Sequence, residues 1–70
     1  MEYEWNSPSR LPPVGCPLVI RIGPPLPALG PFLAVHCERT SHLQDKNGAM
    51  EYRSYATGTI WKGRWPWTYP

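Results

Sequence analysis

The run Phe32-Leu33-Ala34-Val35-His36-Cys37-Glu38-Arg39-Thr40-Ser41-His42-Leu43, the pair Asn47-Gly48, and the run Glu51-Tyr52-Arg53-Ser54-Tyr55-Ala56-Thr57-Gly58-Thr59-Ile60-Trp61-Lys62 decide the fold. Neither run contains proline, and Asn-Gly accepts the positive backbone angles of a type I′ hairpin turn. A turn centred there predicts a hairpin over 32–65 in which Val35 opposes Ile60, Cys37 opposes Gly58, Arg39 opposes Ala56 and Leu43 opposes Tyr52. The same register sets Ala34 against Trp61, His36 against Thr59, Glu38 against Thr57 and Thr40 against Tyr55. One face is then aliphatic and small, the other polar and aromatic. Leu33, Val35, Cys37, Ala56 and Ile60 are the expected core. A helix over 42–55 is the competing reading. It places Asn47-Gly48 mid-helix at a cost of about 1 kcal/mol or more, and the Tyr and Thr residues that follow favour a strand.

Upstream, eight of the ten prolines fall between Pro8 and Pro31. Residues 1–16, with Ser7-Pro8 and Leu11-Pro12-Pro13-Val14-Gly15, read as an extended segment that wraps the sheet, because fixed φ angles and missing amide donors limit its pairing. Pro17-Leu18-Val19-Ile20-Arg21-Ile22-Gly23 is β-branched, short and bounded by Pro and Gly, which is a strand signature. Leu18, Ile20 and Ile22 share one face of it; Val19 and Arg21 share the other. Residues 24–31 contain four prolines and read as a stiff loop whose Leu26 and Leu29 cover one end of the core. A polyproline docking segment is the alternative reading of that loop, but it offers no clean Pro-x-x-Pro pair with a flanking Arg. Residues 66–70 are expected to form a tail.

The whole chain is 70 residues, which predicts one small domain. A chain of this length buries only about 60% of the surface its unfolded form exposes, so its core is limited. The net charge is +2, with residues 1–31 neutral and residues 32–70 holding five bases against three acids. Such an excess does not make a polyanion binder by electrostatics alone, because each neutralised phosphate needs its own Lys or Arg. The acidic start Met1-Glu2-Tyr3-Glu4-Trp5 does not read as a secretory signal. The apolar stretch Pro17 to Cys37 carries Arg21 and, within it, Pro24, Pro25, Pro27 and Pro31, so no spanning helix and no membrane partner is expected. A reducing cytoplasm is the expected workplace, with Cys16 and Cys37 as thiols.

Cys16, His36, Cys37 and His42 are the soft metal-ligand types present. His36 and Cys37 are adjacent on a predicted strand and point to opposite faces, and the paired spacings of structural zinc sites are missing. We expect no metal, no cofactor and no catalytic residue. The acids Glu2, Glu4, Glu38, Asp45 and Glu51 form no close helical pair, and no Gly-rich run leads into a helix N-terminus that could hold phosphate.

The densest chemical feature is Trp61-Lys62-Gly63-Arg64-Trp65-Pro66-Trp67-Thr68-Tyr69-Pro70, which holds four of the nine aromatics. Trp, Tyr and Arg are enriched at protein hot spots, so Trp61, Lys62, Arg64, Trp65, Trp67 and Tyr69 are the candidate macromolecule-binding residues. The same rings could stack on single-stranded bases while the two cations meet phosphates. A third reading makes them the lid of a small core. Under it, Trp5 packs against the C-terminal rings.

Trp5, the run Arg10-Leu11-Pro12-Pro13-Val14-Gly15, the strand 17–22, and Trp61 or Trp65 followed by Pro66 and Pro70 resemble a family of short phage and prophage proteins of unknown function. The resemblance spans nearly the whole chain. This chain departs from it in the Pro-rich insertion 23–31 and the long hairpin around Asn47-Gly48. It implies a phage or prophage origin and a bacterial cytoplasm, and it supplies no catalytic residues. The expectation is therefore a mainly β domain with an antiparallel sheet of three or four strands, acting as a non-enzymatic accessory protein that binds a protein, with single-stranded nucleic acid as the alternative partner.

Overall fold

The computed structural model describes residues 4–23 and 33–70. These form one antiparallel sheet of five strands: β1 (Pro17–Ile22), β2 (Leu33–Gln44), β3 (Met50–Ser54), β4 (Ile60–Gly63) and β5 (Trp67–Thr68). Their spatial order is β4-β3-β2-β1-β5. No helix occurs among the described residues, and 42–55 is strand, turn and strand. The Pro-rich loop 24–31 expected from the sequence lies outside the described residues.

β1 is the strand the alternation predicts, and it sits second from one edge, between β2 and β5. It pairs Leu18 with Cys37, Ile20 with Val35 and Ile22 with Leu33 on β2, and Ile20 with Trp67 on β5. Leu18 and Ile20 are fully buried, and Ile22 packs against the cluster they form with Cys37, Met50, Tyr52 and Trp67. Val19 is on the reverse face between His36 and Thr68, and it too is fully buried.

The single long hairpin is corrected to two hairpins. Cys37 opposes Ser54 rather than Gly58, and Arg39 opposes Tyr52 rather than Ala56. The chain then turns again at Tyr55–Thr59, where Gly58 takes φ 72° and donates its amide to the Ser54 carbonyl over 2.9 Å. β4 therefore pairs with β3, not β2: Tyr52 opposes Trp61 and Arg53 opposes Ile60. The Val35–Ile60 pairing is lost with that register. Of the expected core, Cys37 is buried and Val35 packs against the cluster, whereas Leu33, Ala56 and Ile60 are exposed.

The first turn falls where the sequence places it but has another form. Only Gly48 has positive φ, at 80°. The Asp45 carbonyl accepts from Gly48 N, and the Asp45 carboxylate accepts from Asn47 N at 2.8 Å and Ala49 N at 2.9 Å. These amides, Ala49 first, hold the Asp45 carboxyl below its usual range. An Asp-initiated turn with one left-handed Gly replaces the two positive angles that type I′ requires. Between Arg39 and Gln44 the β2–β3 register shifts, so β2 carries a bulge.

Residues 4–16 are tied to the sheet at two places. Asn6 pairs with Trp67 through N–H···O bonds of 2.7 and 3.1 Å, which continues the sheet past β5. Val14 bridges Arg39 in parallel, and Gly15 N donates to the Arg39 carbonyl over 3.0 Å. Between these two ties Pro12 is fully buried. The ring of Trp5 lies over the Arg21 guanidinium, 5.5 Å from it, so its cation–π contact is with the sheet residue on the reverse face.

Candidate functional site

The six candidate residues do not form one surface. Strand alternation sends Trp61 and Lys62 to opposite faces. Trp61, opposite Tyr52, packs half-buried against the core, while Lys62 is exposed beside its cross-strand neighbour Glu51. Gly63 then lets the chain double back over itself. A Cβ there would lie 2.5 Å from the Trp65 ring, so only glycine admits the indole. Trp65 lies tilted against Tyr52, ring centroids 5.8 Å apart.

Pro66 has no amide to offer, but its carbonyl accepts from Arg21 N over 2.9 Å and starts the β5 pairing. Trp67 is 3% exposed, and its indole Nε1 donates to the Arg10 carbonyl over 2.7 Å. Tyr69 meets the Trp67 ring edge-on at 5.4 Å and is itself 55% exposed. The Arg64 guanidinium donates to Ser9 Oγ over 3.2 Å, on the side of the N-terminal wrap. Three of the four rings are thus consumed by packing, and the two cations are held apart.

Arg39 is a functional-looking residue that the sequence reading left in the strand without a role. Its side chain is buried at 3% exposure, donating from Nη1 to the Pro12 carbonyl at 2.9 Å and from Nη2 to the His42 carbonyl at 3.1 Å. Nε has no partner, and among the described residues no carboxylate pairs with it. One guanidinium therefore fastens the wrap and spans the β2 bulge. A signal existed: the predicted register itself set Arg39 on the same face as Val35 and Cys37.

The reverse face of the sheet carries charge. Arg53 forms an ion pair with Glu38, and Thr40 Oγ1 donates to a Glu51 carboxylate oxygen over 2.6 Å. A shallow concavity of about 300 Å³ opens near the first turn, with Leu43, Asp45, Glu51 and Lys62 on its walls. His36 is exposed and Cys37 buried, on opposite faces as expected. Burial pushes the Cys37 thiol up to about 11, so at neutral pH it is a protonated core atom rather than a nucleophile. Both cysteines are free thiols. Among the described residues no helix is long and apolar enough to cross a membrane, and no three His, Cys, Asp or Glu side chains gather as a metal site.

β4 ends the sheet. Ser54 N donates to the Thr59 carbonyl over 2.9 Å, which fixes the parity: Thr59, Trp61 and Gly63 face β3. The backbone groups of Ile60 and Lys62 face outward. Comparison with family models, with curated proteins and with solved structures finds no match to this chain.

Proposed function

We propose that this chain is a non-enzymatic accessory protein of phage or prophage kind that binds another protein in the bacterial cytoplasm. The observation that carries this reading is the division of labour in the C-terminal segment. A stacking track for single strands needs exposed rings in line with cations. Here Trp67 is buried, Trp61 and Trp65 are half-buried, and Lys62 and Arg64 lie on different sides of the sheet. What stays available at this end of the molecule is a strand edge with exposed Ile60 beside it, a geometry suited to another polypeptide.

Capture from a bacterial lysate on immobilised protein, with and without nuclease, tests the reading. A stoichiometric protein retained after nuclease treatment supports it. Material that disappears with nuclease transfers the function to single-stranded nucleic acid, with exposed Tyr69 as the first ring to examine. Capture of nothing in either arm removes the binding reading.

A further inference from the structure

We propose that the free edge of β4 accepts an extended acidic segment of a partner protein as a sixth, antiparallel strand. The proposal rests on the protein-binding reading above and names its surface. The two ends of the sheet are treated differently. At one end the outward groups of Trp67 are satisfied by Asn6 in both directions. At the other, β4 has no neighbour among the described residues, and the N–H and C=O of Ile60 and Lys62 form two adjacent donor and acceptor pairs. An added strand would take up all four groups.

The side chains at this edge specify what that strand carries. Ile60 is 49% exposed and Lys62 is exposed next to it on the reverse face. Behind Ile60, the Arg53 side chain is 54% exposed while its partner Glu38, one strand deeper, is 15% exposed. Glu51, behind Lys62, has one carboxylate oxygen engaged by Thr40. Lys62 is therefore the outermost charge of this edge, with Glu51 and the Arg53–Glu38 pair set one and two strands behind it. A second copy in the same position would bring two Lys62 side chains to one seam, which like-charge repulsion disfavours. An acid on the added strand meets Lys62 with opposite charge.

Register gives the pattern. In an antiparallel addition the residue paired with Lys62 precedes by two the residue paired with Ile60, and the residue between them lies on the Trp61 side. Read from its N-terminus, the partner presents an acid, then an aromatic or aliphatic residue beside half-buried Trp61, then a branched aliphatic residue beside Ile60.

The test uses the full chain, ¹⁵N-labelled, titrated with the blocked peptide Thr-Glu-Phe-Val-Thr and with its Glu-to-Lys counterpart. The expected result is saturable shift and slowed exchange centred on the Ile60 and Lys62 amides, with binding about tenfold weaker for the Lys peptide. Lys62→Glu should reverse that preference, the Lys peptide then binding better. Lys62→Pro removes an amide that points out of the sheet, is tolerated at an edge, and should abolish binding. No saturable response at millimolar peptide, shifts centred on Trp67 and Tyr69, or sedimentation showing that the protein pairs with itself through β4 would each overturn the proposal. If the peptides fail while Lys62→Pro still captures the nuclease-resistant partner of the unmodified chain, the edge is wrong and the protein-binding reading stands. If neither captures anything, both fall.

Discussion

The indole of Trp67 donates to the carbonyl of Arg10 over 2.7 Å, across 57 positions of sequence. The same residue exchanges both backbone bonds with Asn6, so β5, only two residues long, is held by the wrap as much as by β1. Trp67 is thus the joint between the two ends of the chain. Trp67→Phe keeps most of the buried ring and loses the N–H; it should cost about 1 kcal/mol of unfolding free energy. Trp67→Ala should cost about 3–5 kcal/mol. Urea denaturation of the two variants separates the hydrogen bond from the burial.

Arg39 is the second fastener, and an expensive one, because a buried cation without a carboxylate is paid for only by its carbonyl partners. Arg39→Met fills much of the same volume but leaves the Pro12 and His42 carbonyls without their donors. A loss of about 2–3 kcal/mol is expected. Exchange of the Gly15 amide should accelerate in this variant beyond what global destabilisation explains, since the wrap is released first.

Glycines at 48 and 63 are required for different reasons. Gly48→Ala places a side chain at φ 80° and should cost about 1–2 kcal/mol without disturbing the core. Gly63→Ala drives a methyl into the Trp65 ring and should cost about 1–3 kcal/mol by overpacking. Only the second should change the near-UV circular dichroism, because only it displaces an indole.

The pH response follows from two buried groups. Burial raises Cys37 to about 11 and Tyr52 to about 12, against ordinary values of 9.0 and 10.0. Below pH 9 both states hold these protons and the contribution is complete. As pH rises from 9 towards 12 the unfolded chain ionises while the folded one does not, so stability falls across that window. Denaturation midpoints should drop between pH 9 and 12, and Cys37→Ala should remove the earlier part of the fall. Native-state alkylation should modify the half-buried Cys16 ahead of Cys37, without prior reduction.

Much of this molecule is legible in its sequence, and the misreading has one local cause. The strand 17–22, the turn region at Asn47-Gly48 and the opposite facing of His36 and Cys37 follow from strand alternation and from proline and Asn-Gly chemistry. Tyr55-Ala56-Thr57-Gly58 reads as β-rich sequence, yet the chain turns there, with Gly58 supplying the one positive angle and Thr57 Oγ1 bonding Thr59 N at 3.3 Å. That second turn divides the expected single hairpin into two and sets Ile60 at an outer edge instead of in the core. The folding of Trp65 over Gly63 left a trace in the sequence only as a glycine between two bases, and nothing in the spacing says which way the ring falls.

The C-terminal aromatics build the core and the wrap joint, while β4 keeps an outer edge unpaired among the described residues. Residue-resolved hydrogen exchange on the free protein tests this arrangement most directly. The amides of Trp61, Gly63 and Trp67 should be strongly protected, and those of Ile60 and Lys62 should exchange at rates near those of an unstructured peptide, giving an alternation along one four-residue strand. Equal protection at Ile60, Trp61 and Lys62 would mean that the outer edge of β4 is paired, and fast exchange at Trp67 would mean that the wrap joint is not formed.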